Sequence, residues 1–226
     1  MCLILAAWRT LPGYPLVVAA NRDEFHARPA TPAQFWKDAP QILAGRDLQA
    51  MGTWMGVARS GRFAAVTNYR GPREPSAPHS RGALVTGFLE QPQTSAAYVA
   101  SIEKTKNQYS GFNLLAADGV ELWWLSNRNG APRSLEPGIY GLGNLLLDSP
   151  EVEAAKQRFR DALSPAPSVE VLFEVLASAR IVDSQYGTRC STVLIAKLER
   201  LRYAERSFAP HGESGETAHF EFKLEI

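Results

Sequence analysis

The chain has 226 residues, of which 45% are hydrophobic, and its 24 basic side chains nearly balance its 23 acidic ones. This size is enough to bury a core, and the balanced charge excludes the strongly basic surface that binds nucleic acid or an anionic membrane. The two cysteines, Cys2 and Cys190, are too few for a disulfide framework or a zinc knuckle, and such scarcity is typical of a reducing compartment, so we expect a cytoplasmic protein.

The first half of the chain predicts two hairpins followed by two helices. Apolar runs at residues 2–8 and 16–20 flank Pro-Gly and Tyr-Pro turn signals, which indicates an antiparallel hairpin. A second hairpin is predicted within residues 52–70. After a proline-rich loop, helical spacing of apolar residues predicts helices over residues 80–89 and 94–104.

The second half returns to strands, then to helices, then to strands. Its predicted elements are, in order, a hairpin of residues 112–117 and 121–126, a short strand at 138–144, helices at 151–163 and 168–179, a hairpin of 190–196 and 201–208, a loop at 210–216 and a last strand at 219–226. Helices grouped between antiparallel hairpins predict an α+β fold, with sheets packed on each other and helices outside. We expect one domain over residues 1–226.

Several kinds of site and anchor are excluded by pattern. The apolar N-terminus meets Arg9 and Pro12 too early to span a membrane or to act as a secretory segment, so no stable membrane insertion is expected. The chain lacks a P-loop, a zinc-protease motif, a GxSxG elbow and a complete dinucleotide fingerprint. The four histidines lack metal-ligand spacing, so no metal site is expected.

Cys2 is the candidate nucleophile. Removal of Met1 would leave a cysteine that carries both a thiol and a free α-amine, whose pKa of about 7.7–8.0 suits a base. Arg22 would supply positive charge to favour the thiolate, and Asp23 or Glu24 would hold the amine. The alternative is that Cys2 is a small buried residue that begins a strand, and that the charged residues only close the next strand.

Many motifs in one order resemble the NRDE family, also called the transport and Golgi organisation protein 2 family. They are MCLI, AANRDEFHARP, ILAGRDLQAMGTWMGVARSGRFAAVTNYR, SRGALVTGFL, YSGFNLLAAD, GIYGLGNLLLDSP, YGTRCSTVLI and ERSF. The resemblance implies a fold like that of the N-terminal-nucleophile hydrolases, a four-layer αββα sandwich of two antiparallel sheets flanked by helices.

The same resemblance implies a set of site residues around Cys2. The residues implied are the nucleophile Cys2, the surrounding Asn21, Arg22, Asp23 and Glu24, the polar donors Asn68 and Asn144, and Arg189 nearby. In cysteine hydrolases that resemble penicillin acylase, an arginine and an aspartate three residues apart serve the cysteine. The positions here that register best with them are Asn21 and Glu24.

Three functions follow from these observations. The family resemblance implies an intracellular protein that binds and traffics a small hydrophobic or amphipathic ligand, foremost haem, and Trp54, Met55, Phe112, Trp123 and Trp124 would line an apolar cleft unless they fill the core. The second is an amidohydrolase that uses Cys2 to cleave a C–N bond and needs no cofactor. The third is a scaffold without catalysis. The expected partner is a small molecule in the first two.

Overall fold

A computed structural model describes residues 2–72 and 77–225 of the chain. The chain divides into two compact units, each built on one antiparallel sheet. Of the described residues, the first unit comprises 2–28, 137–143 and 147–224, and the second comprises 29–72, 77–136, 144–146 and 225.

The described residues form thirteen strands and four α-helices. The strands are β1 (Leu3–Leu11), β2 (Tyr14–Phe25), β3 (Ala30–Phe35), β4 (Ile42–Asp47), β5 (Met55–Ala58), β6 (Phe63–Asn68), β7 (Phe112–Ala117), β8 (Leu122–Ser126), β9 (Arg133–Ser134), β10 (Gly138–Leu142), β11 (Tyr186–Ala196), β12 (Arg200–Phe208) and β13 (Ser214–Lys223). The helices are α1 (Gly82–Glu90), α2 (Ser95–Thr105), α3 (Glu153–Ala162) and α4 (Val169–Ala177), with short 3-10 turns at Lys106–Gln108, Pro150–Val152 and Pro210–Gly212.

The first unit contains a six-stranded sheet in the order β10-β1-β2-β11-β12-β13. β2 lies at its centre and pairs with β1 on one side and with β11 on the other. Alternate residues of β1 and β2, such as Leu5 and Val17, pack with Phe159 of α3 and Leu172 of α4 in one core. Because β2 is buried between two strands and under two helices, its charged end must be accommodated by specific partners.

The second unit contains a seven-stranded sheet in the order β3-β4-β5-β6-β7-β8-β9, so every strand pairs with its neighbours in sequence. Its core joins Phe88 of α1 and Val99 of α2 to Ala64 of β6 and Leu114 of β7. Short turns join β5 to β6 and β7 to β8, whereas the segment that contains α1 and α2 lies between β6 and β7.

The α+β class, the antiparallel sheets with flanking helices and the predicted hairpins are confirmed. The last strand begins earlier than expected, at Ser214, because only residues 210–213 of the predicted loop lie outside the strands. No helix in residues 2–72 and 77–225 has the length and apolar character needed to cross a membrane. The single domain expected over residues 1–226 stays a prediction.

Strands β3, β4 and β9 were not predicted. β3 contains Pro32, which lacks a backbone N–H and is read from sequence as a strand breaker. β3 is an edge strand of its sheet, where that missing donor is tolerated, and its register with β4 shifts between Thr31 and Gln34. β9 has only two residues and pairs with β8 at the opposite edge, so it carries no periodic pattern.

Candidate functional site

The first two strands bring Cys2 against the backbone of Asp23. Leu3 of β1 lies opposite Asn21 of β2, so the residue before β1 runs beside the Arg22–Asp23 end of β2. The Cys2 thiol donates to the Asp23 carbonyl oxygen, and the Asp23 N–H donates to Cys2 Sγ, each over 3.4 Å. The predicted hairpin therefore places the cysteine at the charged strand end.

Burial suppresses ionisation of the Cys2 thiol. Loss of solvent is the largest cause and raises the pKa of Cys2 to about 11. The hydrogen bond from the Asp23 backbone lowers this pKa, the Asp23 carboxylate raises it, and Arg22 lowers it. A thiol with such a pKa is ionised in only about one molecule in ten thousand at pH 7. A nucleophilic role for Cys2 therefore needs further activation.

Arg22 and Glu24 form the charged part of the strand end. Arg22 Nη2 lies 3.8 Å from Glu24 Oε2, and Arg28 Nε lies 3.9 Å from the same oxygen. The Arg22 side chain is only 12% exposed, so water screens its charge less than that of a surface arginine. Burial lowers the pKa of Arg189, and the positive charge of Arg22 lowers it further. Three arginines, Arg22, Arg28 and Arg189, therefore lie at this end of β2 and β11.

Asn21 is fully buried and is held by α4 and β11. Its Nδ2 donates to Leu176 O over 3.0 Å, and its Oδ1 accepts from Ser191 Oγ over 2.6 Å. Neighbouring residues of a strand point to opposite faces, so Asn21 and Arg22 lie on different faces of the sheet. The contacts of Asn21 are those of a structural residue, and its part in a site around Cys2 stays a prediction.

Two side chains of β11, Tyr186 and Thr188, hold Asp23, and we call this pair the Asp23 clamp. Thr188 lies opposite Asp23 and its Oγ1 donates to Asp23 Oδ1 over 2.6 Å. The Tyr186 hydroxyl donates to the Asp23 carbonyl oxygen over 3.3 Å. Neither clamp residue was predicted from the sequence, although both belong to the YGTR motif. The available signal was a pair of hydrogen-bonding residues at alternate positions, which places them on one face of a strand.

Arg189 holds the segment that follows β2. Its Nη1 donates to the carbonyl oxygens of Phe25, His26 and Arg28 over 3.0, 3.1 and 3.0 Å. The register of β2 with β11 shifts around Arg189, as it does where a bulge redirects a side chain. One guanidinium therefore fixes the turn beyond the charged strand end, and a direct role of Arg189 in catalysis stays a prediction.

Asn68 and Asn144 contact each other within the second unit. Asn144 Nδ2 donates to Asn68 O over 2.8 Å, and the Arg70 N–H donates to Asn144 O over 2.5 Å. Asn68 is exposed, whereas Asn144 is only 9% exposed. The structure thus brings together two of the predicted donors, and their action on a developing oxyanion stays a prediction.

Asn113 of β7 was not predicted as a site residue, yet it secures the loop that carries Asn144. Its Nδ2 donates to Leu145 O over 2.7 Å and to Thr67 Oγ1 over 3.3 Å. Asn113 is fully buried, and its Oδ1 has no hydrogen-bond partner among the described residues. A lone polar residue in the apolar run FNLLAA was the signal that the sequence offered.

Replacing Asn113 with alanine is expected to lower the free energy of unfolding by about 2 kcal/mol, because Leu145 O loses its donor and a cavity remains. Urea unfolding measures this loss. The exposed Asn107 provides a control, and N107A is expected to change the free energy of unfolding by less than about 0.5 kcal/mol. Equal stability of N113A and the original chain would show that Asn113 does not secure the loop.

The aromatic residues expected to line a cleft lie mostly in the core. Met55 and Phe112 are fully buried, and Trp124 is 3% exposed. Trp54 and Trp123 are half-buried, and Trp123 Nε1 donates to Glu121 Oε2 over 2.9 Å. The core interpretation therefore holds for three of the five side chains.

The second cysteine lies in a different environment from Cys2. Cys190 is 8% exposed, and burial, with the nearby Glu205 carboxylate, raises the pKa of its thiol well above its ordinary value. Within residues 2–72 and 77–225, no three His, Cys, Asp or Glu side chains are grouped to hold a metal ion. Because Cys190 is buried and Cys2 is partly exposed, Cys190 serves as an internal control in measurements of thiol reactivity.

Sequence comparisons identify relatives along the whole chain. The profile of the family described as Transport and Golgi organisation 2 matches residues 1–184. The Transport and Golgi organization protein 2 homologs of Bos taurus and Homo sapiens are 32% and 31% identical to it over 275 aligned residues, with 100% of this chain and of each relative covered. The Drosophila melanogaster protein of that name is 28% identical, with 96% of both covered.

Two solved structures with a similar fold are named as hydrolases. The Caenorhabditis elegans ortholog of N-acylethanolamine-hydrolyzing acid amidase has a TM-score of 0.55 and 12% identity, covering 86% of this chain and 92% of its own. A variant of the conjugated bile acid hydrolase from Clostridium perfringens has a TM-score of 0.62 and 9% identity, covering 99% and 98%. These likenesses show the fold alone, and the predicted resemblance to N-terminal-nucleophile hydrolases is confirmed at that level.

Proposed function

The chain belongs to the Transport and Golgi organisation 2 family, and we propose that it is an amide hydrolase that uses Cys2 as its nucleophile after removal of Met1. The observation that carries the proposal is the position of Cys2, whose thiol contacts both backbone polar groups of Asp23 at the charged end of β2. Loss of solvent raises the pKa of this thiol, and Arg22 is a neighbouring positive charge that opposes the rise. The scissile bond is a C–N amide bond in a small molecule.

The proposed reaction supplies the activation that the Cys2 thiol lacks because its pKa is raised. Once Cys2 is the first residue, its α-amine takes the thiol proton, and the sulfur forms a bond to the amide carbonyl carbon. The C–N bond then breaks, and the leaving amine receives that proton from the α-ammonium group. Water attacks the resulting thioester, which releases a carboxylic acid and restores the thiol. The α-amine pKa of about 7.7–8.0 suits both proton transfers near neutral pH.

The activities named for two proteins with this fold support the choice of bond. One is an acid amidase that hydrolyses N-acylethanolamines, and the other hydrolyses conjugated bile acids. At 12% and 9% identity their substrates do not transfer to this chain. Only the reaction class is carried over as a proposal, and it is supported by the position of Cys2 beside the charged end of β2.

Intact mass and thiol labelling test the proposal. We expect purified protein to lack Met1 and to react with iodoacetamide at Cys2 near pH 7.5, with Cys190 unlabelled because it is buried. A variant with one residue inserted before Cys2 keeps an amide in place of the α-amine, and its labelling should rise only as the pH approaches about 11, the pKa to which loss of solvent raises this thiol. Retention of Met1 in the purified protein, or equal pH dependence of the two forms, would contradict the proposal.

Hydrolysis is measured as amine release from a panel of N-acyl amides. If the protein is a non-catalytic scaffold, no N-acyl amide of the panel should release amine and Cys2 should stay unlabelled. The panel varies the acyl chain and the amine separately, so that a positive result also identifies the side of the amide bond that the protein recognises.

Haem binding and trafficking, implied by the family resemblance, stay a prediction. His26 Nε2 is hydrogen bonded to Asp183 O over 3.1 Å, and the His79 ring packs on Tyr109 with centroids 5.6 Å apart. Neither contact is specific to haem. A saturable Soret shift on haem titration that survives competition with albumin would establish binding, whereas a nonspecific rise would count against it.

A further inference from the structure

The Asp23 carboxylate is held by a hydroxyl whose direction is fixed. Thr188 Oγ1 lies 2.6 Å from Asp23 Oδ1 and accepts a hydrogen bond from the Ile181 N–H over 2.9 Å. Because the hydroxyl accepts from the N–H, its single hydrogen is directed to the carboxylate. Asp23 is 4% exposed and Thr188 is 2% exposed, so water does not compete for this bond.

The same strand also holds the backbone of Asp23. The Tyr186 hydroxyl donates to the Asp23 carbonyl oxygen, which also accepts from the Cys2 thiol. The Thr188 N–H donates to Ile181 O over 2.9 Å, which anchors the clamp residue to the segment before β11. The residue that contacts the thiol is therefore fixed at its side chain and at its carbonyl group by β11.

From this geometry we propose that Thr188 is a positioning residue, which orients the Asp23 carboxylate so that it holds the α-amine of Cys2 beside the thiol. The inference rests on the proposed function, because the Asp23 carboxylate has an α-amine of Cys2 to hold only after Met1 is removed. A carboxylate turned away by one rotamer would leave the ammonium group without its partner, and an ammonium group held close to a thiol favours the thiolate. Thr188 thus acts on Cys2 through Asp23.

Other charged and titratable groups lie around Asp23 and Thr188. The charged and titratable groups at this end include Arg22 and Glu24 of β2, His26 and Arg28 beyond it, Asp183 before β11, and Tyr186, Arg189 and Cys190 of β11. Helix α4 contacts this end through the Leu176 carbonyl oxygen, which accepts a hydrogen bond from Asn21 Nδ2. None of these groups changes when Thr188 is replaced by valine, so a change in the reactivity of Cys2 reports the loss of the hydroxyl.

The test compares T188V, which removes the hydroxyl at nearly constant volume, with T188S, which keeps it. All forms are prepared by cleaving a fusion tag directly before Cys2, so that the comparison does not depend on removal of Met1 in the cell. Iodoacetamide labelling of Cys2 is followed against pH. We expect T188V to react about tenfold more slowly at pH 7.5 with its midpoint about one pH unit higher, and T188S to stay within about twofold of the original protein.

A matched control and a double mutant separate positioning from general damage. T53V removes another buried hydroxyl, which donates to Met55 O over 3.0 Å in the second unit, and should leave the labelling midpoint unchanged. In a D23N background, T188V should cause no further shift, because Thr188 acts through the Asp23 carboxylate. If T188V does not fold, T188A is compared with T188S in its place.

The outcomes distinguish the two proposals. A midpoint of T188V equal to that of the original protein, or a shift of the same size in the D23N background, would overturn the assignment of Thr188. Normal labelling of Cys2 in the original protein without amine release from any N-acyl amide would instead contradict the proposed hydrolysis. A shifted midpoint that T188S restores supports the positioning role whichever amide is cleaved.

Discussion

Replacing Cys2 with alanine is expected to lower amide hydrolysis by at least about a thousandfold, because no other atom takes the place of the sulfur that bonds to the carbonyl carbon. Binding of the uncleaved amide should persist, since the side chains that surround Cys2 are unchanged. The measurement is amine release under single-turnover conditions, together with equilibrium binding of the same amide to C2A.

Cys190 offers the matched control for this substitution. C190A removes the other cysteine of the chain, which is buried and whose thiol pKa is raised by that burial. We expect C190A to hydrolyse amides within about twofold of the original rate, since a small-to-smaller change at a buried thiol mainly affects packing. Amine release by C2A at the original rate would remove Cys2 from the mechanism, whatever the behaviour of C190A.

Replacing Asn21 with alanine is expected to lower the free energy of unfolding by about 3 kcal/mol or more. The substitution leaves the Leu176 carbonyl oxygen and the Ser191 hydroxyl buried without their partner, and each such group costs about 1–3 kcal/mol. Chemical denaturation at neutral pH measures the loss. Below the unfolding transition, labelling of Cys2 in N21A should keep its pH midpoint if Asn21 is structural.

A compensating pair sharpens the Asn21 prediction. N21L/S191A replaces the amide by an apolar side chain of similar size and removes the hydroxyl that it bonded. This double mutant should be more stable than N21A, because fewer buried polar groups are left unsatisfied. If N21A is as stable as the original protein, these two hydrogen bonds contribute little to stability. If the pH midpoint of Cys2 labelling shifts in N21A, Asn21 affects the reactivity of Cys2 directly.

The hairpins were predictable because their turns and alternation are local. The pairing of β1 with β2 follows from two apolar runs around a Pro-Gly turn, and it was enough to bring Cys2 to the end of β2. Strand β3 escaped because the proline that forbids a central strand is permitted at an edge, and sequence does not say which strand is the edge.

The partners within the charged quartet were less predictable. The family register pointed to Asn21 and Glu24, whereas Asp23 is the residue whose backbone contacts the thiol. Which residue of four faces Cys2 depends on the register and pleat of the sheet, and a shift of one residue exchanges the two faces. Thr188 lies 165 positions from Asp23, so its bond to the carboxylate depends on tertiary structure alone.

Because the chain is synthesised from its N-terminus, Asp23 is made well before Thr188. Cys2 and β2 leave the ribosome early, and both strands of the hairpin that joins them lie within the first 25 residues. The Asp23 clamp needs 165 more residues, which take about 10–30 s at the usual rates of translation. During that interval the N-terminus is present without its clamp, and the proposed removal of Met1 has that time in which to take place. A nascent chain that stops before β11 would carry the cysteine without the residue that orients its partner.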